Sequence, residues 1–193
     1  MNICLYGASS RTSHKKYTDA AEKLGAAIAD RGHCLVFGGG ASGMMGAAAK
    51  GAKERGGTVI GVAPRFFDTD GVLYDGCDEF IYTETMRERK QIMEELSDAF
   101  ITVPGGIGTF EEFFEILTLK QLGRHGKAIA VYNIDGYYDC MEQMLKKAVS
   151  DNFMTEGCAK LYGAFSSAED MLNYIENYKC EEVDPKTFKN IWK

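Results

Sequence analysis

Short apolar runs and amphipathic stretches alternate from one end of the chain to the other. Residues 2–7 (NICLYG), 33–39 (HCLVFGG), 58–64 (TVIGVAP), 79–84 (EFIYTE), 99–104 (AFITVP) and 127–133 (KAIAVYN) are apolar with little polar alternation. Runs of that kind predict strands buried on both faces. Between them apolar positions recur at helical spacing: over 13–31 through Ala20, Leu24, Ala27 and Ile28, then over 43–56, 85–97, 109–122 and 137–150. A last helix is predicted over 168–178. The alternation implies an α/β three-layer sandwich, a mostly parallel sheet with helices on both faces. Residues 65–78, dense in Asp and Gly, read as a loop, and 179–193 as a tail without pattern. No repeat or linker divides the chain, so 1–193 is expected to be a single domain.

Charge narrows the partners. Twenty-two basic against 28 acidic residues give a net charge of −6, which is no footprint for nucleic acid or an anionic membrane. An anionic ligand would have to be held by local geometry. No apolar run reaches membrane-spanning length, and the opening MNICLYG lacks the basic stretch of a signal peptide, so a cytoplasmic location is expected. The six cysteines, at 4, 34, 77, 140, 158 and 180, contain no C-x-x-C pair and suit buried reduced thiols. His14, His33 and His125 are dispersed, and no metal site is expected.

In parallel sheets ligands bind beyond the carboxyl ends of the strands, and two such ends are rich in glycine. In GGGASGMMG (38–46), Gly38, Gly40 and Gly43 match G-x-G-x-x-G. The loop follows the second strand, and the next strand ends in GVAP without an acid for a ribose, which argues against a dinucleotide. Phosphate capture by backbone N–H groups and a tight turn for helix packing both remain open. In VPGGIGTFEE (103–112), Thr109 and Glu112 have the T-x-x-E spacing of a capping box, which glutamine would serve equally. Glu111 and Glu115 read as a solvated face, and Phe110, Phe113, Phe114 and Leu117 as the buried stripe. Carboxylates so near the start of a helix would repel a phosphate bound there. The 85–97 helix adds Arg89, which interrupts the stripe of Met86, Met93 and Leu96. Either it snorkels, or with Lys90 it meets an anion beside the glycine loops.

P-G-G-x-G-T-x-x-E (Pro104 to Glu112), M-x-x-R-K (Met86 to Lys90) and G-G-G-x-x-G-x-M-G (Gly38 to Gly46) together resemble the Lonely-Guy-type cytokinin riboside 5′-monophosphate phosphoribohydrolases. SDAFITVPGG, QLGRHGKAIAVYNIDGYYD and AVSDNFM carry the likeness over most of the chain. The resemblance implies a Rossmann-like fold, a homodimer, and hydrolysis of a nucleoside 5′-monophosphate to free base and ribose 5-phosphate without a cofactor. It implies Arg89 and Glu112 as the catalytic pair. Lys90, Gly106, Ile107, Gly108, Thr109, Phe110, Glu111 and Thr118 would line the substrate site, with Gly39, Gly40, Gly43 and Met44 from the other loop. Ala128 stands where the family usually has proline, and Met44-Met45 where Leu-Met is common. The 65–78 stretch is the least family-like, and Asp70 is the candidate there for an acid binding ribose. Such proteins often carry the label lysine decarboxylase, but no site built around a Schiff-base lysine is visible. Two other classes stay in view: a nucleotide or molybdenum-cofactor carrier without turnover, and an NAD-type oxidoreductase.

Overall fold

The computed structural model describes residues 1–179; the tail from Cys180 onward lies outside the described residues. Strands β1 (Asn2–Tyr6), β2 (Cys34–Phe37), β3 (Val59–Pro64), β4 (Glu79–Thr83), β5 (Ala99–Thr102), β6 (Ala128–Tyr132) and β7 (Gly163–Phe165) form one sheet. Its order is β4-β3-β2-β1-β5-β6-β7, and every neighbouring pair is parallel. The helices are α1 (Lys15–Asp30), α2 (Gly43–Glu54), α3 (Met86–Leu96), α4 (Ile107–Gln121), α5 (Asp139–Ser150) and α6 (Ala168–Asn177). Six strands and all six helices coincide with the sequence pattern. β7 does not: three residues, Gly-Ala-Phe, pair with β6 at the sheet edge and are too few to show a period.

Side-chain alternation along β1 assigns the faces. Ile3 and Leu5 point to a core shared with Leu24 and Ile28 of α1, Ala48 and Ala52 of α2, and Leu172 of α6. Cys4 and Tyr6 point to the opposite core, with Met93 of α3 and Phe113, Ile116 and Leu117 of α4. The first core has a close helix–helix contact. A Cβ on Gly25 would overlap the Ala48 carbonyl oxygen, and one on Gly51 would overlap the Glu22 carbonyl oxygen. Backbone meets backbone there.

The connections position the site. From β1 the chain steps outward through β2, β3 and β4, then returns to place β5 on the other side of β1. The loops after β1 and β5 therefore diverge, opening the crevice where parallel sheets hold ligands. They stay tied at their roots, where the Ala8 N–H donates to Pro104 O at 3.2 Å. The 65–78 segment is more ordered than its composition suggests. After a short helical turn at Arg65–Phe67 it folds back on the 38–46 loop. The Ala41 N–H donates to Val72 O and the Tyr74 N–H to Gly39 O, both at 2.9 Å, around a Gly40–Leu73 bridge.

The five described cysteines are free thiols; Cys4 and Cys158 are buried, but Cys140 is exposed, so the expectation of uniformly buried thiols is corrected. Among the described residues no helix is long and apolar enough to cross a membrane.

Candidate active site

The β5–α4 turn begins with Gly105, where a Cβ would overlap the Thr109 side chain. Gly106 caps α4 with extended backbone, and the first helical bond runs from the Phe110 N–H to Gly106 O at 3.0 Å. The N–H groups of Ile107, Gly108 and Thr109 thus precede the helix's own carbonyl partners and face outward at its positive end. Thr109 is the third helical residue, not the cap, and Glu112 lies in the second turn, so the capping box expected at Thr109–Glu112 does not form. The same T-x-x-E spacing caps α3 instead: Thr85 Oγ1 accepts from the Glu88 N–H at 3.1 Å, and the Glu88 carboxylate accepts from the Glu84 N–H at 2.8 Å.

Released from capping, Glu112 turns inward. Its Oε1 accepts a hydrogen bond from Arg89 Nη1 at 2.8 Å, and both side chains are buried, 9% and 6% exposed. Arg89 Nε donates to Val62 O at 3.1 Å. Arg89 therefore does not snorkel; it is fixed under the β3 and α4 ends. Burial pushes the Glu112 carboxyl above its ordinary value, while the Arg89 charge and hydrogen bond pull the other way. Beneath the pair, burial raises the Cys4 thiol to about 12 and holds the Tyr6 hydroxyl well above its usual range, so both stay neutral.

Gly38 is the floor under the guanidinium, and a Cβ there would overlap Arg89 Nη2. Gly38→Ala is expected to displace Arg89, weaken the buried pair and lower turnover by about tenfold or more, with a lower melting temperature. A variant with unchanged kcat/KM would show that the Arg89 position is immaterial.

Arg89 and Glu112 open into a cavity of about 580 Å³ at the switch point. Gly40, Gly106, Gly108 and Thr109 line it with them. The other residues named from the sequence lie elsewhere. Gly39 and Gly43, both at positive φ, pack against Phe80 and the 8–10 backbone, and Met44 is in the core. Ile107 is 87% exposed beside the mouth. Phe110 packs edge-on to Tyr138. Lys90 turns from the cavity to pair with Glu111 and Glu115, which are thus not a purely solvated face. Thr118, far along α4, donates to Phe114 O at 2.6 Å. Asp70 is exposed and outside the lining, whereas Gly71, Val72 and Leu73 belong to it.

Sequence reasoning passed over one wall altogether. Gly7, Ala8, Ser9, Ser10 and Arg11, following β1, line the cavity, and Phe67 and Met86 close its apolar side. Y-G-A-S-S at the end of the first strand was the available signal. The wall also separates the two glycine loops. Ala8 O accepts the Met44 and Met45 N–H groups at 2.8 and 3.3 Å, so much of the α2 amino terminus is already engaged. The α4 terminus is the more open of the two. Among the described residues no group of His, Cys, Asp and Glu is placed to hold a metal.

A parallel sheet with a switch-point cavity, an open helix terminus and a buried Arg–Glu pair places the protein in the Rossmann-like α/β class with a built ligand site. A family model described as "Possible lysine decarboxylase" matches residues 45–175. Among named relatives, a cytokinin riboside 5′-monophosphate phosphoribohydrolase of Arabidopsis thaliana is 34% identical over 190 residues, covering 98% of this chain and 89% of that protein. The cytokinin riboside 5′-monophosphate phosphoribohydrolase LOG of Oryza sativa subsp. japonica is 36% identical, covering 93% and 74%. Among solved structures, the molybdenum cofactor carrier protein of Chlamydomonas reinhardtii superposes with a TM-score of 0.69 at 26% identity, covering 91% of this chain and 95% of that one. The chain belongs to the Lonely-Guy-type phosphoribohydrolase family. Among the described residues no lysine lines the cavity, so the decarboxylase description finds no Schiff-base site there.

Proposed function

We propose that this protein hydrolyses the N-glycosidic bond of a purine nucleoside 5′-monophosphate, releasing free base and ribose 5-phosphate. The observation that carries the reading is the buried Arg89–Glu112 pair opening into the same cavity as the amino terminus of α4. Cleavage of a ribosidic bond builds positive charge on C1′ and the ring oxygen. A fixed carboxylate stabilises that charge and orients the attacking water. The 5′-phosphate takes the N–H groups of Gly108 and Thr109 and the Thr109 hydroxyl. The carboxylates that looked misplaced beside a phosphate site serve the sugar instead. Glu111 pairs with Lys90 outside the cavity, and Glu112 sits one turn below the amides, where the anion does not reach. Arg89 holds the carboxylate in place and offers its remaining donors to substrate. Phe67, Val72, Leu73 and Met86 supply an apolar wall for the base. The named relatives are hydrolases of cytokinin riboside 5′-monophosphates; AMP and its N6-prenylated forms are the substrates to try first. The setting is a cytoplasmic homodimer of single-domain chains, and the scheme uses no cofactor.

Incubation with AMP and with isopentenyladenosine 5′-monophosphate, followed by chromatography for free base, tests the reading. Absence of base from every nucleoside monophosphate offered would reject it. The carrier reading, favoured by the superposition on the molybdenum cofactor carrier, predicts retention of ligand without turnover and leaves the buried carboxylate without a task.

The Glu112 environment sets a pH dependence. Its folded pKa is raised by burial, so the folded state holds this proton after the unfolded state has released it. Its contribution to stability therefore falls as pH climbs from the ordinary carboxylate range through the folded value, then levels. Activity runs oppositely, because the ionised form works: the acid limb of kcat/KM is expected above the ordinary carboxylate range. A limb at or below pH 4.5 would exclude Glu112 as the titrating group.

A further inference from the structure

Three of the cavity-lining side chains carry charge: Arg11, Arg89 and Glu112. Arg89 and Glu112 neutralise each other at 2.8 Å. Arg11 forms no ion pair among the described residues, and one Nη donates to the Gly71 carbonyl at 2.9 Å. Among the described residues the cavity thus has one uncompensated charge, positive, on a chain whose net charge is −6. A cation is not needed merely to fasten the β1–α1 loop to the 65–78 segment, since a neutral amide would satisfy Gly71 O as well. A guanidinium presents five donors in a planar fork, of which the Gly71 bond uses one.

The helix terminus alone is a weak counter-charge. Its amides are equivalent to about half a positive charge, against a phosphate monoester carrying about −1.5 to −2 at neutral pH. The loop bearing Arg11 is the direct neighbour of the loop leading into α4, because β1 and β5 are adjacent and the Ala8 N–H bonds Pro104 O.

We propose that Arg11 is the substrate's phosphate counter-charge, a binding residue on the β1–α1 loop that completes the anion site begun by the α4 amides. The proposal rests on the phosphoribohydrolase reading and extends it. Arg11 selects nucleotides over nucleosides: the α4 amides supply hydrogen bonds, and the guanidinium supplies the charge. The Gly71 bond positions the fork and couples the 65–78 segment to occupancy of the phosphate site.

Arg11→Gln separates charge from bracing, because the glutamine amide keeps a donor for Gly71 O. Calorimetric titration with ribose 5-phosphate and with adenosine divides the substrate into its phosphate-bearing and phosphate-free parts, and neither needs to turn over. The expected result is that the variant binds ribose 5-phosphate about tenfold to a hundredfold more weakly. Adenosine affinity is unchanged, and the salt dependence of ribose 5-phosphate binding becomes shallower. Arg11→Lys, which keeps the charge without the fork, recovers part of the loss. Equal weakening of both ligands would make Arg11 a wall brace and overturn the proposal, as would unchanged affinity for both. Failure of the function itself reads out differently: the parent would bind ribose 5-phosphate, with the Arg11 dependence intact, yet release no base from AMP.

Discussion

Glu112→Gln is expected to lower base release on the order of 10³-fold, with little change in KM, because the interaction it removes forms only as C1′ becomes positive. The substitution preserves shape and an acceptor oxygen for Arg89 Nη1. It removes the one negative charge that faces the guanidinium in the cavity among the described residues. A buried charge left without its partner destabilises, and here the surviving hydrogen bond moderates the effect to about 1–3 kcal/mol. A capping glutamate would have given a different result, since glutamine serves a capping box without loss. Turnover and thermal melts on one preparation separate the cases. Near-parental turnover would remove Glu112 from the chemistry, and a loss of activity that merely tracks unfolding would assign it to structure.

The second large effect concerns the fold. Replacing Gly with Ala inside a helix ordinarily stabilises it by roughly 0.5–1 kcal/mol. At Gly51 the sign is expected to reverse. The added carbon falls on the Glu22 carbonyl of α1, and at the reciprocal contact Gly25 faces the Ala48 carbonyl of α2. Neither obstruction is a side chain able to change rotamer, so the two helices must separate along the seam that buries Leu24 and Ala48. A loss of about 2–4 kcal/mol follows, or roughly 5–15 °C in melting temperature for a chain of this size. Gly51→Ala that melts at or above the parent would mean the seam has slack. The same substitution leaves Arg89, Glu112 and the α4 terminus untouched, so activity per folded molecule should be retained.

Much of this was legible in the sequence, and the parts that were not share a cause. Strands β1 to β6 announce themselves as short unbroken apolar runs and all six helices through apolar periodicity, both of which depend only on burial. Arg89 was visible as a charge inside an apolar stripe, and the resemblance paired it with Glu112, but the direct hydrogen bond across 23 residues of chain emerges only once α3 and α4 cover the same face of the sheet. The capping motif misled because T-x-x-E occurs twice. Gly105 and Gly106 can begin a helix at several places, and packing of Thr109 against Gly105 starts α4 three residues before the motif implies. The β1–α1 wall escaped notice because serines and an arginine carry no periodic signature. The 65–78 segment read as a featureless loop because backbone hydrogen bonds, such as Ala41 to Val72, hold it, and these leave little trace in residue type.

In the proposed scheme, with the phosphate on the α4 amides, the placement of Glu112 one turn into α4 makes that helix a ruler. From the Thr109 amide to Glu112 is three residues, a rise of about 4.5 Å. Main-chain geometry sets the backbone span, and the hydrogen bond from Arg89 holds the side-chain rotamer. Inserting a single residue between 109 and 112 would swing the carboxylate by about 100° around the axis. A nucleotide phosphorylated on its 2′ or 3′ hydroxyl would present the wrong interval to the same gauge.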